Sequence, residues 1–255
     1  MYKRIVIVLI IVFSFISCLK ESQFDANFKV IAHRGCWKET NSAENSLESL
    51  SHAIRFEVDG VELDVCKTID DSLVVAHGDR HGEYVIAKTD FHTLRGVKLQ
   101  NREVLPTFAE YLRFYKLFFD SKLELIVEIK HKGEEKQILD VLNEIDLLDD
   151  VKFISFGWDI CKKVRSLNPF IHISYLNGDK SPQEIANASF NGVAYKMSVY
   201  KTNPQWMNEA RSLGLTTYVW DVNTESDFIW SADNGVDYIV TDNPLDAMLF
   251  KSNYE

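Results

Sequence analysis

Carboxylates occur at alternate positions in one apolar segment of the chain, and a carboxylate and a lysine end another. Glu62 and Asp64 alternate with apolar residues in 61–65, and Glu128 and Lys130 end a second apolar run. Side chains two positions apart on a strand share a face, so each pair points the same way. Buried neighbouring carboxylates repel each other unless a cation lies between them. Three such groups suit Mg²⁺ or Ca²⁺ better than zinc, whereas a solvated face and a buried Glu–Lys pair are the structural alternatives.

Two histidines also end apolar runs. His33 is followed directly by Arg34 and Gly35, and His77 closes the run 73–76. An arginine can hold two phosphate oxygens through its planar guanidinium group, and two histidines can act as general base and general acid. The residue types alone leave open which of the two histidines is the base and which is the acid. The other five histidines are interpreted as surface or local structural residues: His52, His81, His92, His131 and His172.

The elements that must position these residues alternate between strand and helix. The predicted strands are 28–33, 58–66, 73–77, 123–129, 152–155, 171–175, 192–195, 216–219 and 238–240. The predicted helices are 45–56, 107–117, 134–148, 159–167, 182–188, 204–213 and 226–232. Such alternation in 255 residues without a linker predicts an α/β fold with one domain, a (β/α)8 TIM barrel. The candidate residues then belong at the carboxyl ends of the strands, beside a long irregular segment at 78–105.

The amino-terminal segment has the features of an export signal. Lys3 and Arg4 precede the apolar run 5–16, which is too short to span a bilayer, and a serine stands before Cys18. We interpret residues 1–18 as a signal peptide that ends in a lipobox cysteine. The expected product is a periplasmic or cell-surface lipoprotein, anchored through Cys18. A plain secretion signal and an uncleaved anchor are the alternatives.

The charge balance restricts the class of partner. Formal net charge is -10, with 38 acidic and 28 basic residues. No basic segment suited to nucleic acid is present, and an acidic body is repelled by anionic lipid, so membrane contact is expected only through the anchor. Cys36, Cys66 and Cys161 lack the spacing of a disulfide framework or zinc site and are expected to be buried thiols, with a Cys36–Cys66 bridge as an option.

Several short motifs together resemble the glycerophosphodiester phosphodiesterase family, over residues 28–250. They are His33-Arg34-Gly35, Ala43-Glu44-Asn45-Ser46, Glu62-Leu63-Asp64, His77, Glu128-Ile129-Lys130, Trp220-Asp221-Val222-Asn223 and Gly235-Val236-Asp237 leading to Thr241-Asp242-Asn243-Pro244. The resemblance implies a (β/α)8 barrel that hydrolyses glycerophosphodiesters to glycerol 3-phosphate and an alcohol. The implied cofactor is one divalent cation, Mg²⁺ or Ca²⁺, and the implied partner is a small-molecule glycerophosphodiester.

The same resemblance implies a role for each matching residue. Glu62, Asp64 and Glu128 are expected to hold the metal. His33 and His77 are expected to form the acid/base pair, with His33 assigned as base and His77 as acid. The remaining expectations are Arg34 and Lys130 on the phosphate, Glu44 orienting His33 or Arg34 or approaching the metal, Asn45 supporting the loop, and Trp220 forming an apolar wall.

The chain departs from the family pattern at four places. Ala43 and Ser46 replace a usual proline and threonine, Gly78 separates His77 from Asp79, and Asp221 replaces a usual threonine. The changes at Gly78 and Asp221 affect the surroundings of His77 and the headgroup preference. Alternative functions are a barrel phosphodiesterase for another lipid headgroup, a non-catalytic lipoprotein that binds polyol phosphates, and a glycosidase-type barrel, which would leave the basic residues unexplained.

Overall fold

Strands and helices alternate along residues 26–118 and 122–253, which are the residues that the computed structural model describes. In chain order the strands are β1 (Lys29–His33), β2 (Gly60–Lys67), β3 (Leu73–Val75), β4 (Arg80–His81), β5 (Tyr84–Val85), β6 (Glu124–Ile129), β7 (Val151–Ser155), β8 (His172–Tyr175), β9 (Gly192–Lys196), β10 (Thr216–Trp220) and β11 (Tyr238–Thr241). The helices are α1 (Leu47–Arg55), α2 (Phe91–Gly96), α3 (Phe108–Lys116), α4 (Glu135–Ile145), α5 (Trp158–Leu167), α6 (Pro182–Asn187), α7 (Met197–Thr202), α8 (Trp206–Ser212), α9 (Glu225–Asp233) and α10 (Pro244–Ser252), with a 3-10 turn at Ile86–Lys88.

The parallel strands close into a ring. β1 pairs in parallel with both β2 and β11, and the others follow in the order β2, β6, β7, β8, β9, β10 and β11. Within the described residues this gives eight parallel strands with helices between them. The (β/α)8 barrel expected from the sequence is therefore confirmed.

Alternation along each strand separates an inner core from an outer core. On β2, Val61, Leu63 and Val65 pack outward against the helices, so Glu62 and Asp64 point into the barrel. The inner core is small and apolar, and it consists of Ile31, Ile126, Ile154, Leu176, Ala194, Tyr218, Tyr238 and Val240. Glu62 and Asp64 of β2 therefore face the barrel interior, as the inner-core residues of the neighbouring strands do.

The segment after β2 differs from the sequence expectation. The strand predicted at 73–77 ends at Val75, runs antiparallel to β2 and lies outside the ring. Ala76 donates its backbone N–H to the Asp64 carbonyl oxygen at 3.1 Å, so the chain returns His77 to the level of Asp64. The stretch predicted to be irregular contains a two-stranded hairpin, the 3-10 turn and α2. Asp90 begins α2 by accepting a hydrogen bond from the Thr93 backbone N–H.

The helices begin where side chains can accept backbone hydrogen bonds. Thr107 and Glu110 form a capping box at the start of α3, and the Ser46 side chain accepts from Ser49 N at the start of α1. The predicted helices 107–117 and 45–56 are confirmed within two residues at each end. α7 was not predicted from the sequence; it has six residues and directly follows β9.

The three described cysteines are buried free thiols, so Cys36 and Cys66 do not form the optional bridge. Burial raises the pKa of the Cys36 thiol to about 12, which keeps it protonated. Among the described residues, no helix has the length and apolar character needed to cross a membrane. The predicted signal segment and Cys18 lie outside the described residues.

Candidate active site

Three buried carboxylates meet at the carboxyl ends of two adjacent strands. Glu62 and Asp64 come from β2 and Glu128 from β6, where the parallel register places Asp64 opposite Glu128. One oxygen from each residue lies within 4.8 Å of the others. Within the described part of the chain, Glu62 Oε1 is buried without a hydrogen-bond partner. A buried, unpartnered carboxyl oxygen in an all-oxygen cluster fits a hard divalent cation.

Burial and mutual repulsion perturb the ionisation of this cluster. Burial, together with the charges of Asp64 and Glu128, raises the pKa of Glu62 well above its ordinary value. Burial and the Asp64 charge raise the pKa of Glu128 to about 7. Burial opposes ionisation of Asp64 as well, but Lys130, Arg34 and the Asn45 amide outweigh it and lower the pKa of Asp64. Asp64 is therefore the carboxylate that the surrounding protein stabilises in its charged form.

Lys130 spans two members of the cluster. Its Nζ lies 3.2 Å from Asp64 Oδ1 and 2.8 Å from Glu128 Oε1. Burial would lower the pKa of Lys130, but the two carboxylates outweigh burial and raise it. The ammonium group therefore stays charged and also lines the central cavity, where an anionic substrate can reach it.

Arg34 and Asn45 approach the carboxylates from the loop after β1. Arg34 Nη1 donates to Glu44 Oε2 at 2.6 Å, and Arg34 Nε lies 3.3 Å from Asp64 Oδ2. The Arg34 backbone N–H donates to Glu62 Oε2 at 3.1 Å. Asn45 donates from Nδ2 to Asp64 Oδ2 at 2.9 Å and accepts the Asp64 N–H at 3.2 Å. The sequence analysis left His33, Arg34 and the metal as possible partners of Glu44, and the structure shows the contact with Arg34.

The His33 ring is held by a residue to which the sequence assigned no role. His33 Nδ1 lies 2.7 Å from Asp242 Oδ1, directly beyond β11, and His33 Nε2 lies 4.0 Å from Glu62 Oε2. Asn223 Oδ1 in turn accepts the Asp242 backbone N–H at 2.8 Å. The hydrogen bond with His33 lowers the pKa of Asp242. Asp242 stands in a motif of the resemblance and ends an apolar strand, which was the available signal.

His77 faces the same cavity from outside the ring. It lines the cavity together with His33, Arg34, Glu128 and Lys130. Burial lowers the pKa of His77 below its ordinary value, although the nearby Asp64 opposes this effect. The structure therefore brings both predicted histidines to one cavity.

The cavity has a volume of about 180 Å³, and its walls differ in character. Charged groups line one part of the cavity, inner-core residues such as Ile126 and Val240 line another, and the rings of Phe156 and Trp220 complete the lining. Lys130 Nζ lies 6.0 Å from the centroid of the Phe156 ring. Phe156 and Trp220 meet edge to face, with ring centroids 5.8 Å apart and planes at 80°. Trp220 Nε1 donates to the Ala194 carbonyl oxygen at 2.9 Å, which orients the indole. Trp220 thus lines the cavity beside Phe156, a residue that the sequence analysis did not single out.

Comparisons with known proteins agree with this geometry. The sequence profile of the Glycerophosphoryl diester phosphodiesterase family matches residues 33–246. A glycerophosphodiester phosphodiesterase of Caldanaerobacter subterraneus subsp. tengcongensis is 27% identical over 236 residues, covering 84% of this chain and 94% of that protein. A glycerophosphodiester phosphodiesterase structure from Parabacteroides distasonis is 34% identical, with a TM-score of 0.85, and covers 90% of this chain and 99% of that one.

A more distant structure shares the fold. An Oleispira antarctica phosphodiesterase, solved in complex with sn-glycerol-3-phosphate, is 21% identical with a TM-score of 0.76. The comparison covers 90% of this chain and 99% of that one.

Proposed function

The chain belongs to the glycerophosphoryl diester phosphodiesterase family and is a phosphoric diester hydrolase, and from this premise we propose that it converts glycerophosphodiesters to glycerol 3-phosphate and an alcohol with one divalent cation. We place this activity in a single catalytic domain that spans residues 28–250. The observation that carries the proposal is the buried cluster of Glu62, Asp64 and Glu128, which opens onto a cavity shared with two histidines.

Charge balance at the site favours a cation. Among the described residues, six carboxylates line the cavity or contact its lining residues, namely Glu44, Glu62, Asp64, Glu128, Asp221 and Asp242, and the two permanent cations that line it are Arg34 and Lys130. We propose that Glu62, Asp64 and Glu128 hold Mg²⁺ or Ca²⁺, both of which prefer oxygen ligands. When bound, the ion neutralises charge on the phosphate oxygens as a Lewis acid.

The protein groups can divide binding from proton transfer. Arg34 and Lys130 bind phosphate oxygens in a partly desolvated site, where fixed positive charge is most effective. His33 serves as base through Nε2, because Asp242 occupies Nδ1. His77 protonates the leaving alcohol, and its lowered pKa makes the protonated ring a stronger acid. When the base removes a proton from water, the water oxygen forms a new bond to phosphorus as the phosphorus–oxygen bond to the alcohol breaks. When it removes the proton of the neighbouring glycerol hydroxyl, that oxygen displaces the alcohol, and water then opens the cyclic phosphate to give glycerol 3-phosphate.

Release of glycerol 3-phosphate from glycerophosphocholine by the purified full chain tests the proposal. We expect release with Mg²⁺ or Ca²⁺, none with chelator, and a loss of at least about a hundredfold in kcat for His33→Ala and Glu128→Ala. His92→Ala is the matched control, because His92 is exposed and lies outside the cavity. Metal-independent release, or a folded protein inactive on every glycerophosphodiester, would contradict the proposal; activity on another lipid phosphodiester would then identify the nearest alternative.

We also propose that the enzyme is exported and anchored through Cys18. Support comes from the sequence alone, with Lys3 and Arg4 before the apolar run 5–16 and a serine before the cysteine. Cys18→Ala should move the protein from the membrane fraction to the soluble exported fraction, and an unchanged distribution would refute the anchor.

A further inference from the structure

One edge of the cavity combines an acid with an aromatic ring. Asp221 follows Trp220 directly and lines the cavity with it. Its backbone has φ 60°, a left-handed conformation that is uncommon for residues other than glycine but is accessible to aspartate. Non-glycine residues in this conformation concentrate at functional sites, because the surrounding structure must hold them there. The conformation places Asp221 at the cavity edge.

This corner already binds an ammonium group. Lys196 Nζ lies 2.8 Å from Asp221 Oδ2 and 5.3 Å from the Trp220 ring centroid. A carboxylate beside an aromatic face is the arrangement that recognises ammonium ligands, including quaternary ones. Trp220 and Phe156 are held in place by the indole hydrogen bond and the edge-to-face contact. The wall is therefore organised before any ligand arrives.

The lysine can leave this corner at small cost. The side chains of Lys196 and Asp221 are 48% and 45% exposed, and exposed ion pairs contribute little to stability. Lys196 is not among the cavity-lining residues, whereas Asp221 is. A ligand ammonium inside the cavity can therefore take the Asp221 carboxylate while Lys196 turns to water.

We propose that Asp221 and the aromatic wall bind the cationic group of an amino alcohol, so that the preferred substrates are glycerophosphodiesters whose leaving alcohol carries an ammonium. This inference rests on the proposed function. Asp221 is thus a specificity-determining residue.

Ratios of kcat/KM test the proposal on the full chain with saturating divalent metal. The numerator is glycerophosphocholine or glycerophosphoethanolamine, and the denominator is glycerophosphoglycerol, whose leaving alcohol is uncharged. We expect a wild-type ratio above one. In Asp221→Asn the ratio should fall about fivefold, which is the effect of losing one cation-binding contact near the protein surface. Asparagine also tolerates the left-handed backbone. Trp220→Leu should lower the ratio too.

The other partner of the ion pair separates recognition from a structural role. Lys196→Met removes the competing ammonium and should raise the ratio by about twofold to threefold. If the Lys196–Asp221 ion pair only stabilises the loop, Lys196→Met and Asp221→Asn should change the ratio in the same direction. That result would overturn the inference. Asp233→Asn, an exposed acid at the end of α9, is the control for net charge and should leave the ratio unchanged.

The outcomes also separate this inference from the proposed function. Hydrolysis of all three substrates with a ratio near one, unchanged in Asp221→Asn, overturns the headgroup assignment and leaves the phosphodiesterase activity standing. A folded wild-type protein that hydrolyses none of the three overturns both.

Discussion

At the scale of single residues, the site depends on side chains that hold other side chains. Asp242 holds the His33 ring through Nδ1, and Asn45 holds Asp64 by donating one hydrogen bond to its carboxylate and accepting one from its backbone N–H. An acid on Nδ1 selects the ring tautomer that leaves Nε2 free to accept a proton. The reactivity of His33 therefore depends on a residue 209 positions away in the chain.

Asp242→Asn should lower kcat by about tenfold to a hundredfold, because the amide can bind the ring in the wrong tautomer. Affinity for the divalent cation should stay within about twofold, since Asp242 is outside the carboxylate cluster. Rates and metal titration on the same protein would measure both. A large loss of metal affinity with kcat retained would show that Asp242 acts on the ion and not on His33.

At the scale of elements, the inward face of each strand continues into the cavity. Inner-core residues are followed two positions later by site residues on several strands. The pairs are Ile31 with His33, Ile126 with Glu128, Ile154 with Phe156, Tyr218 with Trp220, and Val240 with Asp242. Side chains two positions apart on a strand share a face, so the same inward-facing positions supply both the inner core and the cavity-lining residues above it.

The loop after β1 is the element most sensitive to added volume. A Cβ on Gly35 would lie 2.9 Å from the Ser49 carbonyl carbon and collide with its side chain, in a backbone with φ +87°. Gly35→Ala should cost about 3 kcal/mol of unfolding free energy and reduce activity, because the loop carries Arg34 and directly follows His33. Chemical denaturation and steady-state rates would measure these effects.

Gly214→Ala is the matched control, since Gly214 has φ +68° but no atom within 4 Å of an added Cβ. It should cost about 1 kcal/mol through backbone strain alone and keep full activity. Equal losses of stability and activity in the two variants would show that the collision with Ser49 is unimportant.

At the scale of the whole molecule, barrel closure concentrates like charge in one buried place. Glu62 and Glu128 have raised pKa values because burial disfavours their ionised forms. A carboxyl with a folded-state pKa above its unfolded value stabilises the fold only while protonated. That contribution is present below about pH 4.5 and is lost as the pH rises through about 7. The free energy of unfolding of the metal-free protein should therefore fall as the pH rises through this window.

A bound divalent cation prefers the ionised carboxylates, so its stabilising effect should increase across the same window. We expect the rise in Tm with saturating Mg²⁺ or Ca²⁺ to be about 5 °C larger at about pH 8 than at about pH 5.5. Glu128→Gln should abolish most of the rise. Glu134→Gln should retain it, because burial likewise raises the pKa of Glu134 to about 7 but that residue is outside the cluster. A pH-independent rise would contradict the assignment.

The sequence by itself determined the barrel and indicated which polar residues meet at one end of it, because both follow from the local periodicity of strands and helices. Alternation of strand and helix predicted the ring, and alternation within 61–65 predicted that Glu62 and Asp64 share an inward face. Their positions at the ends of apolar runs singled out His33, His77 and Glu128, which the structure brings to one cavity, and the family motifs implied their roles.

Only the tertiary structure decided which distant groups touch. Asp242 meets His33 because β11 pairs with β1 to close the ring, and this contact has no local periodicity to predict it. His77 reaches the cavity by an antiparallel return along β2, although its apolar run resembled a barrel strand. The sequence alone left several possible partners for Glu44, and the path of the loop after β1 places it against Arg34. Contacts of this kind depend on strand closure and loop path, which arise from packing of the whole chain.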